Sequence, residues 1–448
     1  MNSGAPGGAL GAGSPPRRTR EALAVRSTAA LSWAGFSAAV EEDTDDGACI
    51  ANNWPPGRRP SARSFVRIAH VSDFYLPRLG GIETHIFDLA QLQRGQGHDV
   101  RVLTSTPGLE APDVVRVTRD FDHPHALHPL AVRAGLRALR DLEVDVIHAH
   151  LGVASPFAFF LARAAARDGI PTLVTVHSMW AGVRPIMSTM DALGGWSALP
   201  IVWTAVSQAA AAPVRRLLPP HTQIRILGNG IDQDRWRLPP APEQPGELHL
   251  VAVMRLARRK RPLALLRIVH RAQLALERSG DPTRLRLSVA GDGPRQKAME
   301  SYVRRHGMSD SVALLGRLDR REVQRVLGGA QVFLAPADLE SFGIAALEAR
   351  CVGLPVVAKL EGGVGEFVGH EREGLLCGTD EEMTDAIVRL ARDVGLRRRI
   401  AEHNRSTDCA MAWGALLHRT ETAYSAARTE HPVRALSRSR PAPEWQPS

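Results

Sequence analysis

The chain has 448 residues, 44% of them hydrophobic, and carries 56 Lys and Arg against 47 Asp and Glu, a formal net charge of +9. That length supplies two or three domains with cores of their own, while even the long apolar run 151–166 is broken by Pro156 and Arg163 before it reaches the roughly 20 residues that cross a bilayer. Cys49, Cys351, Cys377 and Cys409 are widely separated and form no C-x-x-C pair, which speaks against a disulfide framework or a zinc cluster and suits a reducing cytoplasm, while the Arg-rich excess leaves nucleic acid, anionic lipid and phosphorylated substrates open.

Residues 1–64 are rich in Gly, Ala, Pro, Ser and Arg and include the acidic cluster 41–46, a composition that reads as a disordered leader. Arg17 and Arg18 ahead of an Ala-rich stretch imitate an export signal, but Glu21 and Arg26 interrupt it and no small-residue cleavage site follows. A cytoplasmic location is therefore expected.

Short apolar runs then alternate with helix-length amphipathic segments, the pattern of βαβ units on parallel sheets. A strand is predicted at 66–71, ending in Ser72 and Asp73 and a loop with Pro77, Gly80 and Gly81, followed by helical spacing over 84–94. Further strands are predicted at 100–104, 144–148 and 172–177. The stretch 238–246 holds four prolines and no periodicity, and reads as a linker. A second series follows at 248–254, 285–290, 312–315, 332–335 and 355–359. The expected architecture is α/β, with two Rossmann-like, doubly wound parallel-sheet domains at 65–240 and 246–410 facing each other across a cleft, and a second disordered tail at 428–448.

Open parallel sheets bind ligands outside the carboxyl ends of their strands, which selects a short set of residues. Gly80 and Gly81 open a helix where backbone N–H groups can approach a phosphate, although a tight turn needs glycine for its shape alone. Arg255 and Lys260 follow the strand 248–254 and suit the charge of a diphosphate leaving group; the alternative is a solvated basic loop. Gly291, in Ala290-Gly291-Asp292-Gly293-Pro294, permits close approach after another strand, and an ordinary strand-to-helix turn explains it equally well.

Glu340 and Glu348 stand eight residues apart around a helix predicted to begin near Phe342. The amides of Gly343, Ile344 and Ala345 would then face the mouth of the sheet, with one carboxylate reaching a sugar and the other accepting from ribose hydroxyls. The plainer reading is one acidic residue favouring the helix dipole and one exposed on its flank. Among histidines near strand ends, His177 is the strongest catalytic candidate, and Glu83, His148 and His150 are acceptor-side candidates, although a lone histidine is more often structural. No metal site emerges, since the pairs Asp43/Asp45 and Asp232/Asp234 lack a suitable setting, and no cofactor is expected.

Taken in order, Gly80-Gly81-Ile82-Glu83, Gly97-His98-Asp99-Val100, Asp145-Val146-Ile147-His148-Ala149-His150, Val206-Ser207, Asn229-Gly230-Ile231-Asp232, Arg255 with Lys260, Gly291-Asp292-Gly293-Pro294 and Glu340 with Glu348 closely resemble the glycosyltransferase family 4 pattern over residues 66–425. The resemblance implies the GT-B fold, with an acceptor-binding first domain, a donor-binding second domain, and metal-independent hexosyl transfer from a GDP- or UDP-linked sugar with retention of configuration. It places Arg255 and Lys260 on the diphosphate, Glu340 on the donor sugar, Glu348 on the ribose, His177 near the transferred sugar, and Gly80 and Gly81 close to the phosphates. It also implies a last helix, 411–427, crossing back to the first domain with Trp413 and Tyr424 as packing residues. Met254, Arg261 and Gly365 depart from the pattern, standing where Gly, Gly and Pro are usual.

The partners so implied are a nucleotide-diphosphate sugar and a hydroxyl acceptor that is a lipid, a glycan or a small molecule, with no nucleic acid. Peripheral contact with anionic membrane at the inner face suits Arg133, Arg137 and Arg140, which suit a solvated helix face equally. Two other readings stay open: a nucleotide-sugar epimerase or sugar phosphorylase on the same fold, and a catalytically silent basic binding module.

Overall fold

The computed structural model describes residues 65–430 apart from Leu79, 118–128, Ala181, Val183 and 241–243. The predicted leader, the Asp43/Asp45 pair, Cys49, residues 431–448 of the predicted tail and the middle of the predicted linker lie outside the described residues. On either side of that gap, 238–240 and 244–246 contain neither helix nor strand.

Two parallel sheets are built from strands separated by helices. The first comprises β1 (Arg67–Ser72), β2 (Asp99–Thr104), β3 (Val114–Arg116), β4 (Val146–Leu151), β5 (Thr172–Val176), β6 (Ile201–Ala205) and β7 (Ile224–Ile226), in the order β3-β2-β1-β4-β5-β6-β7. The second comprises β8 (Glu247–Val253), β9 (Arg284–Ala290), β10 (Val312–Gly316), β11 (Val332–Ala335), β12 (Val356–Lys359) and β13 (Gly374–Cys377), in the order β10-β9-β8-β11-β12-β13. In both, the order reverses beside the first strand, and the crevice outside the strands' carboxyl ends at that point is where open α/β sheets bind ligands.

Both faces of the first sheet are covered, so its central strands are buried almost throughout, polar residues such as His70, His148, Thr175 and Thr204 included. One face, with Ala69, Val71, Ile147, Ala149, Val174 and Trp203, packs beneath helices that include Pro156–Arg167. The other, with Ile68, Val102, Val146, Leu173 and Val202, packs beneath the helices Gly81–Gly95 and Trp413–Glu430. The last helix lies against β4, β5 and β6, with Leu416, Leu417 and Tyr424 buried. Among the described residues no helix is long and apolar enough to cross a membrane.

Several expected elements shift. β4 starts two residues later than predicted and runs to Leu151, so His148 and His150 lie inside the strand rather than beyond its end. Side chains two apart share a face of a strand. Both histidines therefore point into the seam beneath Trp413–Glu430. The helix expected near Phe342 begins at Ile344, with Gly343 as its left-handed cap at φ 94°. Phe342 is buried against Phe367 instead. β3, β6, β7 and β13 are strands that the periodicity did not reveal.

Candidate functional site

In the second sheet, the turn after β8 carries both predicted cations. Arg255 is exposed. Lys260 donates to Glu340 Oε2 at 2.5 Å, and both side chains are largely shielded from solvent. Arg261, at the family's usual glycine position, adopts φ 55° and ψ 44°, the left-handed region that glycine enters freely. Its guanidinium is held by both carboxylate oxygens of Asp380, by Asp338 and by the Pro336 carbonyl. These contacts stabilise a conformation that a non-glycine residue seldom adopts. The same cluster draws in Lys359, 2.9 Å from Asp380, and the two cations help hold the Asp380 carboxyl at about 2.

Two close backbone approaches shape the mouth. Gly291 has φ 134°, and a Cβ there would fall 1.9 Å from the Met254 carbonyl oxygen, so the turn after β9 lies directly on the turn after β8. The Gly363 amide donates to the Glu340 carbonyl at 2.8 Å, fixing the loop that presents Glu340 ahead of the helix Ile344–Val352. The first-turn amides of that helix, at Ile344 and Ala345, stand at its positive end. Glu348 is half-buried one turn further along. Burial raises its carboxyl to about 7, opposed by the charge of Arg320 and reinforced by that of Asp88.

The first sheet supplies the facing wall through the helix Gly81–Gly95. A Cβ added to Gly81 would lie 3.0 Å from Ile344 Cδ1, which sets the glycine pair directly against the first turn of the opposite helix. A Cβ on Gly80 would come within 2.5 Å of Glu83 Oε2. Glu83 is buried and paired with Arg78 at 3.0 Å, whose guanidinium sits 3.9 Å over the Phe74 ring. Burial raises Glu83, with Arg78 and Arg255 opposing that rise. Two turns after Gly81, Asp88 accepts from Arg320 at 3.3 Å, an ion pair between the two halves. Further ties between the halves are the Ser207 hydroxyl donating to the Ser341 carbonyl at 2.5 Å and the Gln208 amide donating to Glu366 at 2.6 Å.

His177 follows β5 and is 5% exposed. It belongs to a group of buried imidazoles with His70, His85, His148 and His150. Burial lowers all five, His70 to about 4 and His177 to about 3, so all are neutral at physiological pH. His148 bonds to Tyr424 and Thr175, and His150 to His70 and His177. Neither is open to an acceptor, which corrects the acceptor-side expectation for both: they belong to the packing beneath the last helix. Trp413 stacks on His85 at 5.4 Å.

The structure thus brings Gly80, Gly81 and Glu83 opposite Ile344, Arg255, Lys260 and Glu340. Sequence reading missed Arg78, Asp88, Arg320 and Asp380. Asp88 had a signal, since residues seven apart lie on one helix face. Arg320 and Asp380 pair with residues far along the chain and left no local pattern, while Arg78 pairs five residues away, from a loop without periodicity. It also did not foresee that His70, His148 and His150 bring nitrogens within 4.8 Å of one another, close enough for a metal ion.

Residues 79–235 match the family profile described as Glycosyltransferase Family 4, and residues 234–407 match that described as Glycosyl transferases group 1. A glycogen synthase of Mycobacterium tuberculosis is 28% identical over 350 residues, covering 70% of this chain and 82% of that protein. The GDP-mannose-dependent alpha-(1-6)-phosphatidylinositol monomannoside mannosyltransferase of the same organism is 26% identical over 351 residues, covering 73% and 89%. Among solved structures, Anabaena HepE in complex with UDP and glucose superposes with a TM-score of 0.64 at 18% identity, covering 81% of this chain and 100% of that one.

Proposed function

We propose, from the premise that this chain belongs to the family 4 glycosyltransferases of the GT-B fold, that it transfers a hexosyl group from a GDP- or UDP-linked sugar to a hydroxyl of a lipid, glycan or small-molecule acceptor. Transfer proceeds with retention of configuration and without a metal. The observation that carries this reading is the Lys260–Glu340 pair at the mouth of the second sheet, in a wall that meets Gly81 across the cleft at Ile344. It sets a cation for a diphosphate beside a carboxylate for a sugar.

In the proposed step, the bond from the anomeric carbon to the diphosphate oxygen breaks as the acceptor oxygen bonds to the same face of that carbon. The acceptor proton passes to the departing phosphate. Arg255 and Lys260 offset the charge that develops on the leaving group, together with the amides of Ile344 and Ala345. Glu340 orients the sugar, Glu348 accepts from the ribose hydroxyls, and His177 bonds to a hydroxyl of the transferred sugar. The halves exclude water, which would otherwise consume the donor.

The mannosyltransferase relative supports a GDP-linked donor and HepE a UDP-linked one. A lipid acceptor and peripheral attachment to the inner face of a membrane draw support from the helix Arg184–Gly194, where Ile186 and Leu193 are 63% and 85% exposed.

The test is a thermal-shift panel of GDP-, UDP- and ADP-sugars in chelator. One nucleotide series is expected to raise Tm, and a ligand at a hundred times its Kd contributes about 2.7 kcal/mol. The double variant Arg255→Ala/Lys260→Ala is expected to lose that shift and the turnover. Wild-type donor affinity and turnover in the double variant would overturn the assignment.

A further inference from the structure

An unbroken line of hydrogen bonds runs through the seam between the first sheet and the last helix. Thr204 Oγ1 donates to the Val174 carbonyl at 2.9 Å and lies 2.6 Å from Thr175 Oγ1. Thr175 Oγ1 is 2.6 Å from His148 Nε2, and His148 Nδ1 is 3.0 Å from the Tyr424 hydroxyl. Gln93 Nε2 donates to that hydroxyl at 3.0 Å, and Gln93 Oε1 is 2.7 Å from His70 Nε2. His70 Nδ1 is 2.9 Å from His150 Nε2, and His150 Nδ1 is 3.0 Å from His177 Nε2.

Because the line is buried and its imidazoles are neutral, the direction of every bond follows once the Thr204 proton is assigned to the Val174 carbonyl. With the single Thr204 proton placed on the Val174 carbonyl, the Thr175 hydroxyl donates to Thr204. Thr175 then accepts from His148 Nε2–H, which leaves His148 Nδ1 an acceptor for the Tyr424 proton. Tyr424 in turn accepts from the Gln93 amide, whose carbonyl accepts from His70 Nε2–H. His70 Nδ1 therefore accepts from His150 Nε2–H, and His150 Nδ1 accepts from His177 Nε2–H. These tautomers are assigned by the donors and acceptors they meet. At the head of the line, His177 Nδ1 is a bare acceptor, with no partner among the described residues.

We propose that this line is a tautomer lock, in which the Val174 carbonyl acts through Thr204, Tyr424 and Gln93 to keep His177 as its Nε2–H form with Nδ1 open as an acceptor at the carboxyl end of β5. Thr204, Tyr424 and Gln93 are positioning residues for His177. Tyr424 belongs to the helix that follows the second sheet in the chain, so docking of that helix completes the lock. The consequence for the reaction rests on the proposed function. A sugar hydroxyl donates to a fixed acceptor there, whereas the other tautomer would present a donor, reverse the bond and leave the hydroxyl proton to find another partner.

The test uses the full-length protein with 15N-labelled histidine, without substrate, and reads each ring's tautomer from long-range 1H–15N correlations. His177→Gln assigns the His177 signals. The wild type is expected to show neutral Nε2–H rings at His70, His148, His150 and His177. In Thr204→Val and Tyr424→Phe an Nδ1–H population of His177 is expected to emerge. Donor kcat/KM would fall roughly tenfold, as the loss of one good hydrogen bond implies, and Thr204→Ser would restore both readouts. An Nδ1–H or averaging His177 in the wild type overturns the lock, as does an unchanged His177 in both variants. If those variants do not fold, the wild-type spectrum alone decides. A protein with the expected tautomers that transfers sugar from no nucleotide donor overturns the proposed function and leaves the lock standing.

Discussion

Lys260 donates to Glu340 at 2.5 Å, so the cation proposed for the leaving diphosphate is neutralised by the carboxylate proposed for the sugar before any donor binds. A diphosphate entering the site must compete with Glu340 for that ammonium. Replacing Glu340 by Gln removes the competitor while keeping the shape. The variant is expected to bind free GDP or UDP several-fold more tightly by calorimetry, yet to lose sugar transfer by roughly 100-fold, the scale of one displaced catalytic dipole. Weaker nucleotide binding in Glu340→Gln would mean that the pair assists the diphosphate rather than competing with it.

Glu348 gives the site a pH dependence whose sign can be worked out. Its carboxyl sits at about 7 in the folded protein against an ordinary 4.5, chiefly through burial. A group raised on folding adds stability that is fully present below its unfolded value and is lost as pH rises through its folded value. Wild-type Tm should therefore fall relative to Glu348→Gln between pH 5 and pH 8, by on the order of 2 °C. If the charged form receives the ribose, donor affinity should rise across that window in the wild type and stay level in the variant. Parallel Tm curves for the two proteins would show that Glu348 is not the titrating group.

Two glycines separate function from folding. A Cβ on Gly81 meets only the end of the flexible Ile344 side chain at 3.0 Å, whereas one on Gly291 meets the Met254 carbonyl oxygen at 1.9 Å, with φ at 134°. Gly81→Val is thus expected to fold with nearly wild-type Tm and to lose turnover by roughly tenfold or more, as side-chain bulk pushes the first helix away from the phosphate position. Gly291→Ala is expected to destabilise the chain by about 3 kcal/mol or more, visible in denaturant unfolding, because neither backbone can yield cheaply. A stable, fully active Gly291→Ala would contradict the close packing of these two turns.

Much of this architecture was legible in the sequence because strands buried on both faces carry apolar runs, and because the candidate site residues follow them at short intervals. That is how β1, β5, β8, β9 and β11 and the residues Gly81, Lys260, Glu340 and Glu348 came to hand. What escaped was non-local. β3 and β7 are three residues each, too short to carry a period, and β6 follows Pro200 with little contrast to its flanks. Arg320 reaches Asp88 across 232 positions, and Gln93 reaches Tyr424 across 331. Spacing rules for helices and strands cannot register such pairs. His148 and His150 misled because a two-residue shift of β4 carries them from the mouth into the sheet. Arg261 shows the reverse, a departure from the family pattern that the fold accommodates by tying its side chain to Asp338 and Asp380.

The histidine cluster yields a last prediction, about metals. His70, His148 and His150 come close enough together to suggest a metal site, but each of their six nitrogens is already engaged, by Gln93, Thr175, Tyr424, His177 or one another. A cation entering there would need at least three of those nitrogens as lone-pair donors. It would strand the Gln93 carbonyl or the Thr175 hydroxyl in a buried seam, at a cost of about 1–3 kcal/mol for each unsatisfied group. At the other end of the proposed chemistry, Arg255 and Lys260 already provide the positive charge that a metal supplies to a leaving phosphate elsewhere. Dialysis of the purified protein against a strong chelator is therefore expected to leave both turnover and Tm where they were, and added zinc or magnesium to raise neither. A chelator-induced loss of Tm that zinc alone restores would place a metal among these imidazoles. A loss of turnover that magnesium restores would instead move the leaving-group role away from the two cations.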